Sequence, residues 1–324
     1  MIEVKDLTKR YGDHLAVDHL SFCVDKGQVY GFLGANGAGK STTMNMLTGY
    51  IAPSEGEIRI NGKDILREPE EAKKCIGYLP ELPPVYMDMT VKEYLAFVAE
   101  LKKVPKKEVK NQLAEIMQMT GIEDVKERLI KNLSKGYRQR VGLAQAIVGY
   151  PEVIILDEPT VGLDPKQMIE IRELIKKLSE KHTILLSSHI LSEVSAVCDH
   201  ILIISHGRLV ASDSPEGLEK QLKSKAVLKL TALGTLEEVK AALQQLPEIE
   251  AVEEAGETEK GVKVSVTMTE GADCREELFY ALAAAKLPIM ELQYEKRSLE
   301  DIFLELTEEN QPKAEEELQE TEVE

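Results

Sequence analysis

The stretch Gly34-Ala-Asn-Gly-Ala-Gly-Lys40-Ser41 has the residue types and spacing of a phosphate cradle, G-x-x-x-x-G-K-[ST]. Small residues at Gly34, Ala35, Gly37 and Ala38 let the backbone wrap an anion and turn successive N–H groups inward. The chain then enters a helix-like run, Ser41 to Leu47, whose positive end faces the same point. Lys40 is expected to reach the β/γ-phosphates of a nucleotide and the Ser41 hydroxyl to hold Mg²⁺. The phosphate-binding set is Gly34, Asn36, Gly37, Gly39, Lys40, Ser41 and Thr42.

Hydrolysis of such a ligand also needs an acid to orient the metal and a base for the attacking water. The apolar run Val153 to Leu156 ends in Asp157-Glu158-Pro159-Thr160, which supplies both: Asp157 for the metal, Glu158 as general base. A second apolar run, Thr183 to Leu186, ends in Ser187-Ser188-His189.

These groups require strands that end at one edge. Val29 to Leu33, Val153 to Leu156 and Thr183 to Leu186 are continuous apolar runs, as in strands buried on both faces of a parallel sheet. Ile2 to Leu7 and Leu20 to Val24 read as strands of an antiparallel edge sheet, and Glu57 to Asn61 as a strand closed by a hairpin turn at Asn61-Gly62. Tyr11 falls between the first two, either as a surface turn aromatic or as a platform for a base. Ile76 to Glu81 runs into the proline-rich loop Pro80 to Pro84. Thr90 to Met119 is helical, opens with the capping box Thr90-x-x-Glu93 and breaks at Pro105. Asp164 is placed to cap a helix that begins at Pro165. The first ~215 residues thus form an α/β unit.

Beyond Leu218 the order is strand (226–233), helix (235–246), strand (248–253), strand (262–268), helix (273–287) and strand (289–296). This β-α-β-β-α-β order is that of a ferredoxin-like domain. An amphipathic helix is expected at 298–307, and a disordered acidic tail at 308–324, where eight Glu meet one Lys.

With 324 residues there is room for two domains, and a net charge of −17 argues against a surface that coats nucleic acid. Cys23, Cys75, Cys198 and Cys274 form no C-x-x-C and are expected as buried thiols of a reducing compartment. No apolar run approaches the ~18 residues that span a bilayer.

Taken together, these motifs resemble those of an ABC-transporter ATPase subunit over residues 1–215. Besides Gly34–Ser41 and Ile154–Thr160, Leu133-Ser134-Lys135-Gly136-Tyr137-Arg138-Gln139-Arg140 is similar to the family's signature sequence. The resemblance makes Tyr11 the adenine-stacking residue, Gly162-Leu163-Asp164 the D-loop and His189 the switch histidine. His14, His19, His182, His200 and His206 match no motif and are expected as core histidines. The fold implied is a P-loop NTPase of the ABC ATPase type over 1–217, with an antiparallel β edge sheet and a helical subdomain at about 85–150. The ferredoxin-like accessory domain at 218–307 and the tail follow it.

What the resemblance further implies is a head-to-tail homodimer with ATP sandwiched between the phosphate loop of one copy and the signature residues Ser134 and Gly136 of the other, with Asp164 of the D-loop also among the nucleotide-binding residues. His189 then contacts the γ-phosphate, and Ser41, Asp157 and Glu81 serve Mg²⁺. Glu81 stands where the family carries Gln; Lys135 and Tyr137 stand where the signature carries Gly and Gln. These departures, with Ser298 to Leu306, are similar to the ABC-2 branch of drug-resistance and gliding-motility exporters. There the ATPase lies in the cytoplasm, held to the inner face of the membrane by a separate permease. The alternative, a soluble ABC-fold ATPase acting on ribosomes or nucleic acid, is opposed by the acidic charge and the single set of motifs.

Overall fold

The structure is a computed structural model of the chain and describes residues 1–222, 227–258, 261–269 and 274–295. The expected helix at 298–307 and tail at 308–324 lie outside these residues. Two compact units meet in sequence between Pro215 and Glu216.

The first unit opens with a hairpin, β1 (Ile2–Tyr11) and β2 (His14–Val24), followed by β3 (Val29–Leu33), α1 (Lys40–Leu47), β4 (Glu55–Ile60) and β5 (Lys63–Asp64). Then come α2 (Pro69–Lys74), β6 (Ile76–Leu79), α3 (Val91–Leu101), α4 (Lys106–Met119), α5 (Lys135–Ile147) and β7 (Val153–Leu156). It continues through α6 (Pro165–Ser179), β8 (Thr183–Ser188), α7 (Leu191–Ser195), β9 (His200–Ser205) and β10 (Arg208–Asp213) into α8 (Pro215–Leu222).

Strands β2-β1-β4-β5 form the antiparallel sheet, and β10-β9-β3-β8-β7-β6 form the central one, parallel except for the β10–β9 pair. Every residue of β3, β7 and β8 is buried, which is why their sequences are apolar runs without alternation. Met44, Leu47, Ile58, Ile155 and Leu202 join one core between the two sheets. The hairpin is longer than the alternation suggests, so that Tyr11 is the last residue of β1 and not a residue beyond it. Register shifts along β1 and left-handed Asp6 and His19 break the period-2 pattern there. No element is expected from sequence for 200–213, although Ile201 to Ile204 supply a buried strand.

In α3 the capping box of Thr90 and Glu93 is present, and the break at Pro105 separates α3 from α4. The second unit contains β11 (Val227–Ala232), α9 (Leu236–Leu243), β12 (Ile249–Thr258), β13 (Gly261–Met268), α10 (Arg275–Ala284) and β14 (Ile289–Glu295). Its sheet order, β12-β13-β11-β14 with every pair antiparallel, is the ferredoxin-like arrangement. Alternation along β13 sends Val262, Val264, Val266 and Met268 into a core shared with Leu278 and Leu282 of α10.

Candidate nucleotide site

Strands β3, β7 and β8 are neighbours in parallel register, so the residues that follow them emerge together at the carboxyl edge of the sheet, where α/β folds bind ligands. The loop after β3 closes at Gly39, whose φ of 102° is left-handed and whose Cβ, if present, would stand 2.6 Å from the Ala16 carbonyl oxygen. Only glycine fits there. Gly39 also caps α1 without a side chain, so the first N–H groups of the helix have no side-chain acceptor of the usual kind. Lys40 is buried; its Nζ donates to the carbonyls of Gly34 (2.8 Å) and Ala35 (3.3 Å) and lies 3.4 Å from Glu158 Oε1.

Asp157 and Glu158 leave the end of β7 in different directions. Asp157 Oδ1 accepts from Ser187 Oγ at 2.5 Å, and the same hydroxyl accepts from the Glu158 N–H at 2.9 Å. Burial pushes the Asp157 carboxyl above its usual range, while hydroxyls of Ser187 and Ser41 pull it back. Glu158 has a φ of 48°, a left-handed conformation that costs a glutamate roughly 1–3 kcal/mol. Its carboxylate sits between Lys40 and His189, with His189 Nδ1 2.9 Å from Oε2.

A cleft of about 510 Å³ opens over these groups, lined by Tyr11, Asn36, Gly37, Gly39, Lys40 and Ser41, and also by Thr42, Glu81, Glu158 and His189. Tyr11 is half exposed, with Lys9 Nζ 5.2 Å from its ring centroid. Gly34 begins the loop and Asp157 lies buried close to Ser41. The remaining expected residues stand elsewhere. Ser134 caps α5 by accepting from the Tyr137 N–H, Gly136 packs on the Gln167 side chain, and Asp164 caps α6 by accepting from the Gln167 N–H. None of the three lines the cleft.

Residues 17–161 match the profile of the ABC transporter family. The bacitracin transport ATP-binding protein of Bacillus licheniformis is 41% identical over 223 residues, which cover 68% of this chain and 72% of that protein. The linearmycin resistance ATP-binding protein of Bacillus subtilis is 31% identical over 308 residues, covering 95% of this chain and 98% of its own. The chain belongs to the ABC transporter ATP-binding family. A solved dimeric structure of a bacterial ABC transporter cassette is 25% identical and superposes with a TM-score of 0.61, over 66% of this chain and 98% of that cassette. This ABC protein is an ATPase, and ATP is its nucleotide.

Several residues stand elsewhere than their sequence context suggests. His14 lines the cleft mouth and is exposed, as are His19 and His206, and His200 is half-buried; of the five expected core histidines only His182 is one. Cys23 is likewise exposed and Cys75 half-buried, against the expectation of buried thiols. Ser187, a polar residue closing an apolar strand, carried a signal that could have marked it as the support of Asp157. Glu193, buried on α7 and accepting from Thr160 Oγ1 at 2.5 Å, carried none.

Proposed function

We propose that this chain is the ATP-hydrolysing subunit of an ABC-2 type exporter, which dimerises head to tail around two ATP molecules and drives a separate membrane permease. The observation that carries the reading is the division of the site: one cleft holds the phosphate loop, base and histidine, while the signature turn stands apart at an exposed helix N-terminus. A second copy would bring its Ser134, Gly136 and Asp164 to the γ-phosphate. The domain assignment that accompanies this is a nucleotide-binding domain at 1–217 with its helical subdomain at about 85–150, and an accessory domain at 218–307.

Within the cleft, Gly34, Asn36, Gly37, Gly39 and Thr42 would wrap the phosphates, Lys40 would give its charge to the β/γ-phosphates, and Tyr11 would stack on adenine. Glu158 would take the proton of the attacking water, and its contact with His189 Nδ1 leaves Nε2 to meet the γ-phosphate. The donor set fits Mg²⁺: one hydroxyl, Ser41, beside one carboxylate, Asp157, with Glu81 at the cleft, leaves room for phosphate and water ligands. Bound there, Mg²⁺ would neutralise charge on the transferred phosphate.

Support for a membrane partner comes from a groove of about 790 Å³ lined by Tyr50, Leu82, Pro84, Tyr86, Phe97 and Leu101, with Tyr50 and Leu82 each 80% exposed. The segment that contributes Leu82 and Pro84 to the groove contributes Glu81 to the nucleotide cleft, so a permease segment seated there would feel the γ-phosphate one residue away. Among the described residues no helix is long and apolar enough to cross a membrane, so attachment at the inner face of the cell membrane would be through that permease. Purifying the Glu158→Gln protein with ATP from native membranes in mild detergent should recover a multi-spanning membrane protein. Recovery of ribosomes or nucleic acid alone would refute the exporter reading.

A further inference from the structure

Helix α5 begins at the signature turn and runs along the loop that carries the catalytic base of the same chain. Lys135 Nζ lies against Gly162, where a Cβ would meet it at 1.9 Å; Gly136 packs on Gln167; Arg140 pairs with Glu170. One contact on this seam reaches the base itself. Gln139 is 5% exposed, and its Nε2 donates to the carbonyl of Pro159 at 3.0 Å, a fully buried bond from helix α5 to the residue that follows Glu158. Glu158 stands in a left-handed backbone conformation that does not hold itself. Ser187 Oγ fixes its N–H, Val161 N–H donates to its carbonyl at 3.2 Å, and Gln139 fixes the next carbonyl along. The first two anchors belong to β8 and to the loop itself. Gln139 alone of the three belongs to the signature helix.

We infer that Gln139 is a positioning residue for the base: it makes the placement of the Glu158 carboxylate in one nucleotide site depend on the helix whose N-terminus serves the other. The inference rests on the two-copy reading above. It assigns a route, through a single buried amide, by which a nucleotide gripped at the signature turn of a chain would adjust the catalytic loop of that same chain. Removing the donor leaves the Pro159 carbonyl buried without this partner, so the loop can relax away from the left-handed conformation.

Gln139→Met keeps the side-chain length and removes the donor; Gln139→His returns a ring N–H at similar reach. The Met variant should lower kcat by about 10-fold, the worth of one such bond, with KM for ATP and equilibrium ATP affinity unchanged, and the His variant should recover most of the loss. An unchanged kcat, or a kcat and ATP affinity that fall together with no recovery in His, overturns the proposal. Mixed dimers give the direction of action and keep the test open if the Met variant folds poorly alone. With one chain silenced by Glu158→Gln, Gln139→Met on the other chain should lower the remaining turnover, whereas placed on the silenced chain it should leave it unchanged. The reverse pattern overturns the proposal. The two-copy reading is tested apart from this: Ser134→Arg on the silenced chain should abolish the remaining turnover. Turnover that survives it counts against that reading, while the kcat and KM split of the unmixed protein still decides on Gln139.

Discussion

Before residue 206 the chain buries many polar and charged side chains, Lys40, Asp157, Glu158 and Glu193 among them, whereas the buried set described in the second unit is Leu228, Leu230, Val239, Val264 and apolar neighbours with Cys274. Burying a charge costs several kcal/mol unless it is paired and hydrogen-bonded, and even a paired charge is seldom a better core than leucine. The second unit follows the rule for a domain whose interior has only to fold. The first departs from it along one line, the carboxyl edge of the central sheet, where Lys40 Nζ and His189 Nδ1 stand 3.4 Å and 2.9 Å from the Glu158 carboxylate. A left-handed glutamate at the centre of that line is a second departure from what stability alone would select. The contrast separates residues held for chemistry from residues held for packing.

The sharpest way to break the contrast is to remove the proposed base while keeping its shape. Glu158→Gln should lower ATP turnover by a factor of about 10² to 10⁴, as expected for loss of a general base, with equilibrium ATP binding retained. Because the substitution leaves the buried Lys40 ammonium without its carboxylate partner, the thermal midpoint without nucleotide should fall modestly, and ATP, whose phosphates take up that charge, should restore it. Steady-state hydrolysis, ATP titration and thermal unfolding on one preparation decide it. Parental turnover would remove Glu158 from the chemistry, and a large drop in the midpoint would make its burial a structural device.

The converse test lies in the second unit. Leu230 is 1% exposed and stands in register between Val264 and Leu292 in the middle of its sheet. Leu230→Ala should destabilise that unit by about 2–5 kcal/mol through the lost contacts and the cavity left behind. ATP turnover per folded molecule should stay at the parental rate. Unfolding monitored by calorimetry, alongside hydrolysis at a temperature below the first transition, measures both. A turnover that falls with the stability of the second unit would show that packing there is also held for chemistry.

How much of this was legible in the sequence follows the same division. The phosphate loop could be read because its residues are consecutive and the demands on them are local: a small residue at each tight turn, a lysine and a hydroxyl at fixed offsets. The ferredoxin-like order could be read because period-2 and period-3.6 patterns alternate cleanly through an apolar core, with a second capping box at Thr235 and Glu238. Contacts between distant segments were illegible. Gln139 against Pro159 and Thr160 against Glu193 join residues 20 and 33 positions apart with no local pattern to mark them, and Ser187 is marked only as the polar end of an apolar run. His14 was misjudged for a related reason. Its place at the cleft mouth is set by the length of the β1–β2 hairpin, and the bulges along β1 hide that length from any alternation count.

The smallest effect concerns a histidine that belongs to packing although it lies in the catalytic unit. His182 is buried at the start of β8, its ring Nδ1 2.6 Å from the Pro151 carbonyl at the start of β7, so it ties two strands whose far ends carry the site. Burial holds its proton affinity below the ordinary histidine value of 6.5, and the Pro151 carbonyl offsets part of that. The unfolded chain therefore binds a proton more readily than the folded one. The stability contributed by neutral His182 is complete above pH 6.5 and is lost as pH falls through 6.5 toward the lowered folded value. Many carboxylates also begin to titrate in that direction, so the slope of the parent alone proves nothing. His182→Gln retains a donor for the carbonyl and removes the titration, so its thermal midpoint should fall less steeply than the parent's between pH 7 and about pH 5, while ATP turnover at pH 7.5 stays close to parental. Midpoints measured across that range for both proteins give the difference that belongs to His182. Parallel curves would mean that the ring is solvated as readily in the folded protein as in the unfolded chain. A loss of turnover at constant stability would move His182 from the frame of the site into its chemistry.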